Sequence, residues 1–236
     1  MADYRVRACN TAPDSENRIH DDRTAALYGF RAGLVPGVTI YGYLTVPVIE
    51  RFGVEWLTRG GMRVRFLQPF YDGDEVVVHL SGNSVTARRA DETVCAAGEI
   101  FWSADAPPDL ALCPCAPLPA VRPPASAESL APGRVLGTLY ADLPAPDPAS
   151  LLTLSNYLLM RNVTLGPWLH VASEVRNFGE PRHGERLAVR GRVAERYGRK
   201  GHQFVLLDII VAGDGERLVQ QVRQTAIYEL RHGAGR

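Results

Sequence analysis

The chain has no excess of charge of either sign: 26 Lys and Arg are balanced by 26 Asp and Glu, for a formal net charge of +0. Binding a polyanion draws on counterion release by a cationic surplus, so nucleic acid is not an expected partner. A hydrophobic run near the roughly 18 apolar residues of a membrane-spanning helix is also missing. The opening MADYRVRACN carries no apolar leader stretch, so neither membrane insertion nor secretion is expected, and the cytoplasm is the expected location. Cysteine is scarce. Cys9, Cys95, Cys113 and Cys115 are spread along the chain, and the Cys113-Pro-Cys115 triplet has no second ligand pair at zinc-binding spacing, so all four read as ordinary thiols and no metal is expected. No G-x-S-x-G elbow, phosphate-binding loop or dinucleotide glycine signature is present. What the chain does have is 46% hydrophobic and 22% charged residues over 236 positions, the balance of a globular protein with one large core or two small ones.

Proline marks a division. Pro107, Pro108, Pro114, Pro117, Pro119, Pro123, Pro124 and Pro132 crowd one stretch whose fixed φ and missing amide donors suit neither helix nor sheet interior. Residues 105–133 therefore read as an ordered linker between halves at 1–104 and 134–231. The halves overlay. Setting Gly73 on Gly184 brings Val64 onto Val175 and Arg65 onto Arg176, and aligns the DGDEVVV turn and strand with HGERLAV. Trp56 and Trp168 then precede the matching strands with one residue of slippage. Solenoid units run about 20–50 residues, so a repeat this long implies two domain-sized copies of one fold.

Strand signals gather toward the end of each half: Met62–Gln68, Glu75–Ala87 and Glu92–Trp102, then Val171–Phe178, Arg186–Glu195, Gln203–Val211 and Leu218–Leu230. Val205, Leu207, Ile209 and Val211 alternate as in a sheet with one wet face. One helix precedes the strands in each half. Tyr41, Leu44, Val48, Ile49 and Phe52 recur at helical spacing between Pro36-Gly37 and Gly53, as do Leu151, Leu154, Leu158 and Leu159 in the second half. Propensity alone would make VTIYGYLTV a strand broken at Pro47, so the first helix rests on spacing. The expected class is α+β, with two antiparallel sheets each wrapping a helix, whose edges can join into one sheet and hide unpaired strands.

The densest polar cluster runs Asp14-Ser15-Glu16-Asn17-Arg18-Ile19-His20-Asp21-Asp22, followed by AALYGF and GLVPGVTIYGYL. The order N-x-I-H-x-D, then A-x-x-x-G-F, then a glycine heading a helix, resembles the MaoC-like hotdog family of (R)-specific enoyl-CoA hydratases and related acyl dehydratases. The match covers the first half, and the double-hotdog arrangement of some members accounts for the second. The resemblance places Asn17 on the family's Asn, His20 on its catalytic His, Asp22 on its second Asp and Gly37 on its helix-heading Gly. Its catalytic Asp falls on Ser15, its Pro on Arg18, and the His before the helix on Pro36. The second half has no such motif, which implies at most one active site per chain.

Elementary chemistry agrees with part of that role. Adding water to an α,β-unsaturated thioester needs a base for the water, a proton for C2 and donors for the enolate oxygen; imidazole titrates near neutrality and suits the first task. If Gly37 opens a helix, the amides of Gly37 and Val38 lack intrahelical acceptors and suit an oxyanion. The expected catalytic set is His20 with Glu16, or Asp14 by a one-residue slip, beside Ser15, and the expected substrate-binding set is Asn17, Gly37 and Val38. Glu16 also reads as a solvated capping acid. Arg199-Lys200 in RYGRKGH is a basic hairpin turn that can meet a coenzyme A phosphate. The expected activity is reversible hydration of an enoyl thioester of coenzyme A or acyl carrier protein, with no other cofactor. Thioester hydrolysis and a non-catalytic acyl-binding half of a heteromeric hydratase are the alternatives. A homodimer or heteromer of hotdog chains stays open.

Overall fold

A computed structural model of the chain describes residues 3–103, 106–143 and 147–231. The first half supplies β1 (Tyr4–Arg7), β2 (Gly60–Phe66), β3 (Glu75–Ser81), β4 (Ser84–Arg88) and β5 (Val94–Trp102). The second supplies β6 (Val135–Asp142), β7 (Leu169–Asn177), β8 (Arg186–Arg199), β9 (His202–Ala212) and β10 (Leu218–Glu229). All ten join one antiparallel sheet in the order β1-β3-β4-β5-β2-β7-β10-β9-β8-β6. Taken inward from either outer edge, each half runs first, third, fourth, fifth, second strand, so the two halves share one topology and meet back to back. The seam is the β2–β7 pair, with Met62 opposite Val175 and Val64 opposite Ser173. Arg63 Nε reinforces it by donating to Glu174 Oε2 at 2.9 Å.

Among the described residues four α-helices accompany the sheet: α1 (Asp22–Leu27), α2 (Gly37–Phe52), α3 (Val54–Arg59) and α4 (Pro148–Asn162). The two long ones, α2 and α4, pack against each other over the sheet. Helix α2 forms despite its β-branched content because Tyr41, Leu44 and Val48 fall on one helical face and all three are fully buried. It stops at Gly53, whose φ of 68° few other residues adopt cheaply. Gly42 lets the helices approach closely: a Cβ there would stand 3.0 Å from Cβ of Ala149.

Three local expectations need correction. The run Glu75–Ala87 is two strands, because Gly82 at φ +57° and Asn83 make a tight turn between β3 and β4. Strands β1 and β6 form the outer edges although neither has a strong sequence signal: β1 is four residues long, and Gly137 and Thr138 interrupt the apolar alternation of β6. The two tryptophans are not equivalent, since Trp56 lies on α3 and Trp168 in the extended chain before β7. Gly73 and Gly184 do occupy matching turns, both at positive φ, before β3 and β8.

The described part of the proline-rich stretch lies on the outside of the second half. Cys113 packs on Ile210 and Ala212, which alternate with the inward Ile209 and Val211 and so face away from α4. Further on, Thr138 N donates to Ala116 O at 2.7 Å along β6, and Arg122 Nη1 donates to Met160 O at 2.8 Å at the end of α4.

Candidate functional site

The halves differ most before their long helices. From β6 the chain reaches α4 through positions 143–147 alone, whereas between β1 and α2 it runs through positions 8–36, which hold the polar cluster and α1. In that segment Arg18–His20 forms a single 3-10 turn with Asn17 as its cap. Asn10 Nδ2 donates to His20 O at 2.8 Å, and Leu34 N donates to Ile19 O at 3.2 Å. Gly33 lies against the same carbonyl so closely that a Cβ would sit 2.1 Å from His20 O. Asp22 Oδ1 accepts from Gly33 N at 2.7 Å, which makes Asp22 a tie of this loop.

His20 Nδ1 meets Leu34 O at 2.7 Å. A carbonyl only accepts, so Nδ1 carries the proton and Nε2 keeps its lone pair. Asn17 Nδ2 faces that lone pair at 3.4 Å, a long contact that leaves it available. Burial lowers the His20 pKa from 6.5, the Leu34 contact opposing it, so the ring is neutral at pH 7. The Asn17 amide is otherwise committed across the seam. Its Oδ1 accepts from Trp168 N at 3.2 Å and its Nδ2 donates to Trp168 O at 3.0 Å, so the buried Asn17 acts as a staple between halves.

Helix α2 begins beside this loop, and the starts of the two long helices contrast. At α4 the Asp147 carboxylate caps the end: Oδ1 accepts from Ala149 N at 2.8 Å and Ser150 N at 3.1 Å, and Oδ2 accepts from Ser150 Oγ at 2.6 Å. At α2 the cap is Pro36, with no side-chain bond to the first turn. Thr39 N and Ile40 N are taken by Pro36 O, which leaves the amides of Gly37 and Val38 as the free donors of an uncapped positive helix end.

Two cavities lie beside this helix start. One of about 610 Å³ lies between α2 and α4 and is lined by Ser15, Asn17, His20, Val38, Tyr157 and Trp168 among others. Asp147 is the one acid among its described lining residues, and its oxygens are spent on the cap. The second, about 310 Å³, lies at the seam and takes in Phe30, Gly37, Phe66, Cys95, His170 and Ile227. Trp168 borders both cavities. Burial pushes the Cys95 thiol up to about 11, so it is protonated and a poor nucleophile.

The residues singled out in the sequence part company here. His20, Ser15, Asn17 and Val38 share the larger cavity and Gly37 opens on the smaller. Ser15 Oγ donates to Asn17 O at 3.0 Å and keeps its own lone pairs. Glu16 does not join them: it pairs with Arg122 Nη1 at 2.7 Å, drawn by a cation of the linker. Asp14 is exposed on the loop surface. Neither carboxylate makes a hydrogen bond to His20.

A polar cluster in the second half escaped sequence reading. Gln224 on β10 is fully buried, sits opposite Ser173 on β7, and donates from Nε2 to Asn156 Oδ1 on α4 at 3.0 Å. Ser173 Oγ lies 2.7 Å from His170 Nε2. His170 meets Phe66 edge-on at 5.3 Å, and burial lowers its pKa to about 4. Asn156 reaches the larger cavity and His170 the smaller. The available signal was a glutamine sharing the inward face of β10 with Val222 and Ala226.

No protein-family model matches the chain, and no curated protein matches it. Solved structures do. A thioesterase candidate from Novosphingobium aromaticivorans aligns with a TM-score of 0.60 at 15% identity, over 97% of this chain and 96% of that one. The dehydratase domain of PpsC from Mycobacterium tuberculosis, solved in complex with C12:1-CoA, aligns at 0.55 and 12% identity, over 97% and 93%. A second Mycobacterium tuberculosis protein, described as having a double hotdog fold, aligns at 0.54 and 15% identity, over 96% of each chain. The chain has the double hotdog fold.

Proposed function

We propose that the chain reversibly hydrates an enoyl thioester, with the unit at 1–104 carrying the chemistry and the unit at 134–231 walling the substrate. The observation that carries the reading is the position of His20 on the wall of the larger cavity, its Nδ1 held at Leu34 O, beside the uncapped start of α2. The acyl chain occupies the apolar space between α2 and α4, and the carrier arm leaves through the seam cavity past Trp168. The thioester carbonyl then lies between the two cavities, against the amides of Gly37 and Val38.

Water held by Ser15 Oγ gives a proton to His20 Nε2 as its oxygen bonds to C3. The C2=C3 pair moves toward the thioester oxygen, which the two amides and the helix dipole stabilise. The imidazolium returns the proton to C2, and the carbonyl re-forms. One histidine thus serves as base and then acid, and no carboxylate is required. The solved neighbours of this fold include a dehydratase domain in complex with C12:1-CoA, which is compatible with that chemistry.

A second reading, thioester hydrolysis, is favoured by the buried Gln224–Asn156 pair beside Ser173, a set of neutral hydrogen-bonding groups able to hold a water near the thioester. A panel of 2-enoyl-, 3-hydroxyacyl- and saturated acyl-CoA thioesters separates the two. Hydration consumes the conjugated double bond with the thioester intact; hydrolysis releases free thiol from the saturated substrate. Absence of double-bond loss and of dehydration across the panel overturns the first reading.

A further inference from the structure

The tip of the β8–β9 hairpin carries features that neither cavity explains. Arg199 pairs with His202, and Lys200-Gly201 makes the two-residue turn with both φ values positive, 52° and 81°. Such turns favour Asn or Gly, yet here the first position holds the one lysine of the chain. Arg199, Lys200 and Arg231 are exposed, and Arg196 is half-buried with its Nε lacking a partner. None of the four has an ion-pair partner among the described residues. Glu195 and Glu229 are the acids nearest along these strands, so the tip keeps a surplus of positive charge. Arg231 is tied in: its N donates to His202 Nδ1 at 3.1 Å, and a Cβ on Gly201 would meet its Cδ at 2.8 Å.

Beside the cations lie stacked rings. Tyr197 and Phe204 are parallel within 5° at 4.9 Å, and His202 meets Phe204 edge-on at 6.4 Å. A row of outward residues links them to the seam cavity, with Leu169 opposite Ile227, Ile227 opposite Phe204 and Phe204 opposite Tyr197. Ile227 lines that cavity with Phe30, and Phe204 packs on the cluster containing Ile227 and Leu34. Two strand spacings separate Ile227 from Tyr197, roughly 10 Å. Beyond Tyr197 the partner strand β6 has already ended, since its pairing with β8 reaches no further than Val135 opposite Arg192.

We propose that this hairpin tip binds the nucleotide end of coenzyme A, the adenine stacking on the open face of Tyr197 and the phosphates meeting Arg199, Lys200 and Arg231. The proposal rests on the thioester reading and makes coenzyme A the carrier. An extended pantetheine arm runs from the tip over Phe204 and Ile227 into the seam cavity. Rings beside unpaired cations suit a ligand that offers a flat base and several phosphate charges.

The test uses binding, so it does not depend on turnover. Lys200, the one side-chain amine in the chain, is acetylated with a limiting amine reagent and its modification read by mass spectrometry. Coenzyme A and adenosine 3′,5′-bisphosphate are expected to protect it and adenosine alone is not. The pair Arg199→Glu/Lys200→Glu is expected to weaken coenzyme A binding by at least about tenfold through charge reversal, with an unchanged thermal midpoint as the check on folding. Unchanged labelling under saturating coenzyme A, or equal affinity of variant and parent, overturns the proposal. Protection by an acyl carrier protein with none by coenzyme A also overturns it and assigns the tip to the carrier. If the nucleotide binds while no thioester is turned over, the catalytic reading fails and this one stands.

Discussion

His20 is held by three backbone facts: its Nδ1 proton lies on Leu34 O, Asn10 Nδ2 holds its carbonyl, and Gly33 leaves no room for that carbonyl to move. A base acts in its neutral form, and burial lowers its pKa below 6.5. For the proposed hydration kcat/KM is therefore expected to rise with pH through an inflection below 6.5 and to stay level above pH 7; a pH–rate profile with an inflection above 7 contradicts this. His170, lowered to about 4, follows the same sign for stability: its neutral form contributes fully above about 6.5, and the contribution is lost as pH falls through about 4. Glu16 leads to the opposite expectation from the one its sequence position invites. Because it pairs with Arg122 outside the His20 contacts, Glu16→Gln is expected to change turnover by less than about threefold, far below the roughly 10²–10⁴ of a general acid or base. That His20 lies near the start of α2 was legible because both belong to one local stretch of sequence. The partner of Glu16 was not, since Arg122 comes from a proline-rich stretch with no periodic pattern to place it.

At the scale of elements, the site depends on a loop, one helix start and one strand start being locked together. Asn17 does this by occupying both the N–H and the C=O of Trp168 just before β7, a junction between residues 151 apart in sequence. Asn17→Ala strips partners from both backbone groups, and the cost expected is about 1–3 kcal/mol for an unsatisfied buried group. Chemical denaturation checks it: a loss below about 0.5 kcal/mol would show that Trp168 is held by other means. Sequence reading placed α2 between Gly37 and Gly53 because Tyr41, Leu44 and Val48 keep helical spacing through a β-branched run. The same reading ran β3 and β4 together as one strand because Gly82 was not recognised as a positive-φ turn, and it left out the edge strands, which are too short or too mixed to show alternation.

Among the described residues one sheet bears the two long helices α2 and α4, and the cavities lined by His20 and by His170 lie where the halves meet. Besides the β2–β7 ladder, Asn177 Nδ2 donates to Trp56 O at 3.2 Å, adding a buried tie across the seam. The halves are therefore expected to unfold together in one calorimetric transition; two separated transitions would contradict a shared core. The repeat was legible from Gly73 and Gly184 because turn glycines mark register, whereas the long loop before α2, which carries His20, has no counterpart of its length before α4 and breaks the symmetry. The central claim is that this site adds water across an enoyl thioester. Its most direct test follows the conjugated double bond of 2-enoyl-CoA thioesters with the parent chain and with His20→Ala. Reversible loss of the double bond with the thioester intact is expected, slowed at least about 100-fold in His20→Ala. No double-bond loss on any chain length, or loss that His20→Ala leaves unchanged, would contradict it.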